Sequence, residues 1–129
     1  KPANYSDIKY KKNKNNITIE FTRGIDILET ISKKHKNLFT VGFAAETNSL
    51  KENSEQKLAK KNLDIIVGNI ANHELKLGFE SDYNEVIMLS NTHSQKISHD
   101  KKSNIANKIL DFIAIEYSNK LQLVKKNVK

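Results

Sequence analysis

The sequence predicts an α/β fold, Rossmann-like and three-layered, with a mostly parallel sheet plus a β-hairpin. Three observations carry that expectation. Apolar runs at 38–45 and 63–69 lack polar alternation, as strands covered on both faces do. A polar, strongly helix-forming segment at 50–62 lies between them, so strands alternate with helices along the chain. Near the end, Ile105, Ile109, Leu110, Phe112 and Ile113 recur at three-to-four spacing, the stripe of an amphipathic helix over 100–119.

Taken in order, residues 1–16 have no hydrophobic period and read as a lysine-rich loop. Ile17-Thr18-Ile19-Glu20-Phe21 alternates apolar and polar, the pattern of a half-buried strand. Thr22-Arg23-Gly24 breaks it, and Ile25, Ile27, Leu28 and Ile31 then share one stripe of a short helix over 25–35. After the first apolar run, Thr47-Asn48-Ser49 offers capping side chains to the 50–62 helix. Residues 85–89 read as a further strand, 91–94 as a turn, and 95–98 as the returning arm of a hairpin. The organisation expected is a loop or lid at 1–16, a folded portion at 17–119 and a frayed basic tail at 120–129.

The chain has 129 residues, 37% hydrophobic and 29% charged, with a formal net charge of +7. That charge sits at the ends. Lys1, Lys9, Lys11, Lys12 and Lys14 face only Asp7 within the first 16 residues, and Lys120, Lys125, Lys126 and Lys129 close the chain without an acid. The span between is close to neutral, so nucleic-acid binding through a broad basic face is disfavoured, although the lysines and Tyr5 and Tyr10 of the opening keep binding through the basic ends as an alternative. There is no cysteine, hence no disulfide, thiolate metal site or cysteine nucleophile. No apolar run reaches membrane-spanning length, and no signal peptide is recognisable, so a cytoplasmic setting is expected.

Candidate chemistry is sparse when residues are taken singly. His35, His73, His93 and His99 form no close pair of metal-ligand spacing, and no metal site is expected. No Gly-x-Ser-x-Gly elbow occurs. Gly24, Gly42, Gly68 and Gly78 are too far apart to build a phosphate-cradling loop, so a bound nucleotide would need side-chain cations. Lys57 and Lys61 stand four residues apart on one helix face, which suits either that task or an ordinary solvated helix edge.

Read together, three motifs form a known order: Val41-Gly42-Phe43-Ala44-Ala45-Glu46-Thr47, then Lys57-x-x-x-Lys61-Asn62-Leu63-Asp64-Ile65-Ile66-Val67-x-Asn69, then Gly78-Phe79-x-x-Asp82-x-Asn84-Glu85-Val86. From Ala3 to about Tyr117 the chain resembles the phosphopantothenate–cysteine ligase (phosphopantothenoylcysteine synthetase) part of the bacterial bifunctional coenzyme A biosynthesis flavoproteins. The resemblance implies a reaction in which CTP, assisted by magnesium, activates the carboxylate of 4′-phosphopantothenate as an acyl-cytidylate, and the amine of cysteine displaces CMP. It also implies a homodimer. FMN would belong only to the family's decarboxylase domain.

By the same resemblance, Phe43 falls on a nucleotide-contacting phenylalanine, and Lys57 and Lys61 on two lysines that bind CTP. Ile25, Asp26, Ile27 and Leu28 match a segment lining the base pocket, with Ile25 where the family has proline. Asn4 replaces an aspartate that contacts the nucleotide, keeping an acceptor oxygen and losing the charge. Lys9-Tyr10-Lys11-Lys12 resembles a mobile lid whose first lysine approaches the acyl-phosphate; Lys9 is preferred on motif, whereas ungapped counting selects Lys14. The family's glycine-rich opening, first parallel strands and catalytic asparagine precede the Asn4 position. The expectation is therefore the later portion of a larger domain, either a fragment with little activity alone, a subunit completed by an N-terminal half from another chain, or an inactive nucleotide- or partner-binding remnant.

Overall fold

A computed structural model describes residue 3 and residues 18–70 and 81–127. Asn4, Lys9, Lys14 and His73 lie outside the described residues, as do Gly78 and Phe79 of the third motif.

The first helix, α1 (Ile27–Lys34), begins where Asp26 accepts a hydrogen bond from the Glu29 backbone N–H at 3.0 Å. Glu29 in its first turn and Lys33 and Lys34 in its last complement the helix dipole. Strand β1 (Val41–Glu46) follows, then α2 (Leu50–Lys61) and β2 (Ile65–Ile70). Helix α2 closes on Asn62, whose left-handed backbone lets its N–H reach the Ala59 and Leu58 carbonyls. The capping expected from Thr47-Asn48-Ser49 is made differently. Ser49 itself is left-handed with no side-chain cap bond, and the Asn53 amide donates back to the Asn48 carbonyl at 3.1 Å. Strands β3 (Tyr83–Ser90) and β4 (Ser94–Lys101) form the hairpin, and α3 (Lys102–Asn127) ends the described chain.

The sheet order is β1-β2-β3-β4, with β1 parallel to β2 and the other two pairings antiparallel. The α/β class and the hairpin are as expected, and the parallel pairing among the described residues is β1–β2. Pleating divides the core in two. Ile65, Val67, Val86 and Met88 turn to one face and pack with Ile97 and with Ile105 and Phe112 of α3. Ile66, Ile87 and Leu89 turn to the other, against Leu58 of α2, Leu63 and Leu28 of α1.

Two expectations are corrected. Residues 18–21 are exposed, and Phe21 forms an isolated bridge instead of a strand, since alternation alone supplies no sheet to pair with. The basic tail is not frayed from Lys120: α3 runs on to Asn127 because Lys120 reaches back to Asp64 at 2.6 Å and to the Leu38 carbonyl at 3.0 Å.

Asp64 is a joint between layers. Its carboxylate also accepts the Thr40 backbone N–H at 2.7 Å and the Thr40 hydroxyl at 3.2 Å, where Thr40 is buried. Asp64→Ala is expected to cost about 1–3 kcal/mol in urea denaturation, because a buried N–H loses its acceptor. Lys120→Ala removes only a half-exposed cation and should cost less than about 1 kcal/mol.

Asp100 anchors the start of α3. Lys108 pairs with it at 2.7 Å, and the Asn104 amide and Lys101 N–H donate at 2.9 and 2.8 Å, holding its carboxyl down at about 2. A depressed carboxylate stabilises the fold above its unfolded value near 3.8 and loses that contribution as pH falls toward about 2. In Lys108→Ala the largest cause is gone, so the Asp100 titration followed by NMR should move up toward 3.8.

Candidate functional site at the carboxyl end of β1

Parallel strands deliver side chains and the N-termini of following helices to their carboxyl ends, where open α/β sheets bind ligands. Here β1 ends at Glu46 and α2 starts four residues later. On this side of the sheet, Lys57 Nζ pairs with Glu46 Oε1 at 2.5 Å, and the Asn53 amide donates to Glu46 Oε2 at 3.2 Å. One turn further along α2, Lys61 Nζ meets Asp26 Oδ2 at 2.8 Å. The Lys61 ammonium, followed by the Glu29 N–H, holds the Asp26 carboxyl below the usual aspartate range. Ser32 Oγ donates to the Lys61 carbonyl and binds α1 against α2, which is what brings Asp26 within reach.

Asp26 and Lys61, from two separate motifs, are thus brought together, with Lys57 beside Lys61 on α2. Leu28 points the other way, into the core, where a Cβ added at Gly42 would stand 3.1 Å from it. Ile25 and Ile27 are exposed, 83% and 74%. Asp26-Ile27-Leu28-Glu29 is also a helix-starting pattern, so the capping role of Asp26 was open to sequence reasoning. Glu46, the partner of Lys57, was not singled out as a site residue; it closes the first motif.

Phe43 lies on the opposite face of β1, 69% exposed. It borders a cleft of about 340 Å³ whose walls include Asn69 of β2, Asn84 of β3 and Ile105 and Ile109 of α3. Among the described residues nothing bonds the Asn69 side chain, and Asn84 Oδ1 accepts only the neighbouring Glu85 N–H at 2.9 Å. These asparagines were quoted within motifs but not read as site residues. A ligand that touches Phe43 as well as Lys57 and Lys61 must therefore pass from one face of β1 to the other, round its end or its edge.

A roomier cavity, about 420 Å³, lies at the other end of the sheet beside Phe39, Asp64, His93, Glu116 and Lys120. Within it His93 Nδ1 lies 2.6 Å from Glu116 Oε1, and Lys120 pairs with Asp64 at 2.6 Å. Among the described residues no cluster of three His, Asp or Glu side chains could cage a metal ion, and no helix is long and apolar enough to cross a membrane.

Glu46, Asn69 and Asn84, one from each motif, lie at the β1 carboxyl end of the sheet, and the motifs agree with the comparison to known proteins. Residues 1–117 match the DNA/pantothenate metabolism flavoprotein C-terminal domain family. The chain belongs to this family. It is 37% identical over 114 residues to the coenzyme A biosynthesis bifunctional protein CoaBC of Bacillus subtilis, and 35% identical over 116 residues to that of Borreliella burgdorferi. Each match takes in 88% of this chain and 28% of the relative, so the chain spans a little over a quarter of those proteins. The crystal structure of the C-terminal domain of a CoaBC superposes with a TM-score of 0.63 at 28% identity, over 78% of this chain and 46% of that one. The DNA/pantothenate metabolism flavoprotein of Streptococcus pneumoniae, at 16% identity and TM-score 0.64, shares the fold.

Proposed function

We propose that this chain supplies the later part of a CTP site in a phosphopantothenate–cysteine ligase of coenzyme A biosynthesis. The observation that carries the reading is that Phe43 stands on one face of β1 and Lys57 and Lys61 on the other, Lys57 reaching Glu46 at the strand's carboxyl end. A phenylalanine face suits a pyrimidine base, and two ammonium groups one helical turn apart suit a polyphosphate.

A carboxylate is a poor electrophile, so amide formation needs an activated acid. In the proposed reaction a carboxylate oxygen of 4′-phosphopantothenate attacks the α-phosphorus of CTP, and the bond to the β-phosphate oxygen breaks, releasing diphosphate. The cysteine amine then attacks the acyl carbon, loses its proton and expels CMP. Charge accumulates on the phosphate oxygens in the first step, and fixed cations lower that barrier. Lys57 and Lys61 do this from α2, and Lys9 is proposed to reach the acyl-phosphate from the lid, with Lys14 as the competing choice. Asn4 and the 25–28 segment would border the base. Among the described residues near this site, Asp26 and Glu46 each face a lysine.

The test is NMR titration of the isolated chain with CTP, run beside an assay for CMP release in the presence of both substrates. The expected result is shifts concentrated at Phe43, Lys57 and Lys61 without turnover. Absence of shifts at those residues would sink the CTP reading, and turnover at normal family rates would overturn the claim that the chain holds only part of the site.

A further inference from the structure

The cavity at the amino ends of β1 and β2 lies apart from the groups proposed to hold CTP. Phe39 comes just before β1, Asp64 just before β2, and Ser90 ends β3, paired with Ile65. The six residues of β1 separate this end from Glu46, about 20 Å of extended chain. One wall is a stripe of α3, Glu116, Asn119, Leu123 and Lys126, at 3-4-3 spacing, with Lys120 and Gln122 on its flanks. The β3–β4 turn adds Asn91, Thr92 and His93.

The hydrogen bonds of this lining decide what it can offer a ligand. Its two carboxylates are engaged. Asp64 takes Lys120 on Oδ1 at 2.6 Å, and the Thr40 N–H and hydroxyl on Oδ2 at 2.7 and 3.2 Å. Glu116, buried, has His93 Nδ1 2.6 Å from Oε1, and the Thr92 hydroxyl donates to Oε2 at 3.4 Å. The donors are not all engaged. Lys120 uses two of its three N–H groups, on Asp64 and on the Leu38 carbonyl. Among the described residues, the Lys126 ammonium and the side-chain amides of Asn91, Asn119 and Gln122 have no partner. A surplus of N–H groups around filled carboxylates selects an acceptor-rich, negatively charged group. Lys120 already faces Asp64, whereas Lys126 faces no described carboxylate, which suits a single negative charge. A dianion would meet both Asp64 and Glu116 across the same space. Half-buried Phe39 and Leu123, 61% exposed, add apolar surface, and an apolar wall with a few polar groups is the usual make-up of a small-molecule site.

We propose that this cavity of about 420 Å³ binds a small organic acid, a single carboxylate on an apolar body, with the carboxylate held by Lys126 and the neighbouring amides and the body against Phe39 and Leu123. Phe43, Lys57 and Lys61 do not line it, so this site and the CTP site stand or fall separately. A basic last turn is also what the dipole of α3 favours, and Lys125 meets that need as well as Lys126 does. Of the two, Lys126 lines the cavity. Substitution therefore separates a ligand contact from a general helix-end effect.

The test is NMR titration of the chain with benzoate, benzamide and benzamidine, which share one shape and are anionic, neutral and cationic. Acetate and inorganic phosphate supply anions without the ring. Benzoate should give saturable shifts at the side-chain amides of Asn91, Asn119 and Gln122, in the roughly millimolar range of so small a ligand. The other four probes should bind about tenfold more weakly or worse. Lys126→Ala should weaken benzoate by about tenfold, Lys126→Arg should restore it, and Lys125→Ala should leave it unchanged. Both lysines are exposed, so circular dichroism of the variants should match the parent. Absence of saturable benzoate shifts at those amides overturns the proposal. So does benzamidine binding as tightly as benzoate, which would hand the cavity to its carboxylates, or acetate or phosphate doing so, which would reduce the site to bare charge. A Lys126→Ala loss no larger than that of Lys125→Ala overturns it too, leaving only the field of the helix end.

Discussion

Gly68→Ala is expected to destabilise the fold by about 1–3 kcal/mol, the cost of overpacking a closed core, and more than any other single methyl added to the sheet. Gly68 lies in the middle of β2, where α2 crosses closest. A Cβ there would overlap Ser54 Oγ and stand 3.0 Å from a Leu50 methyl and 3.3 Å from an Ile87 methyl. Ser54 is fully buried, and among the described residues its hydroxyl has no hydrogen-bond partner. Two consequences follow from that pairing. Ser54→Ala should be neutral or stabilising by up to about 1 kcal/mol, since it deletes an unpaired buried hydroxyl. The double change Gly68→Ala with Ser54→Ala should recover a good part of the single loss, because the atom that the new methyl strikes has gone. At Gly42 the obstacles are the terminal methyls of Leu63 and Leu28, which can turn aside, so Gly42→Ala should cost less. Urea denaturation of the four variants measures all of this; strict additivity of Gly68→Ala and Ser54→Ala would remove the argument.

Such contacts explain what could be read from the sequence. The β1-α2-β2 unit was legible because β2, covered on both faces, is apolar throughout, β1 carries a similar apolar run although its Phe43 stays exposed, and the crossing helix is polar outside. Phe43 and Glu46 are three residues apart in a strand, so their opposite faces also follow from parity. The ion pairs do not. Lys61 finds Asp26, 35 positions earlier, only because Ser32 fastens α1 to α2. Lys120 holds Asp64 across 56 positions, and that reach turned an expected frayed tail into the last turns of α3. The 17–21 strand failed for the complementary reason: a local period was present, but no described strand of the four-stranded sheet takes it as a neighbour.

Lys57→Ala and Lys61→Ala should each weaken CTP binding at least tenfold, about 1.4 kcal/mol, with little effect on folding. Both ammonium groups are partly exposed and already paired, Lys57 with Glu46 and Lys61 with Asp26, and surface pairs of this type contribute little to stability. Their value lies in placement. Glu46 is fixed by Asn53, and Asp26 by the first turn of α1, so each lysine is held in place before any nucleotide arrives, Lys57 at the carboxyl end of β1 and Lys61 beside the start of α1. A triphosphate brings several negative charges to a place where two carboxylates compete for the same cations. Asp26→Asn is the informative control. Asparagine keeps an oxygen to cap α1 but gives up the charge, so CTP binding should tighten slightly or hold, whereas Asp26→Ala also loosens the helix start. Because both lysines would hold one polyphosphate, the double Lys57→Ala, Lys61→Ala variant should lose less than the two single losses combined, and its affinity should depend less steeply on salt. Calorimetric titration at two salt concentrations measures each quantity. If both alanine variants bind CTP as the parent does, the Lys57–Lys61 face is an ordinary solvated helix edge and the nucleotide site lies elsewhere.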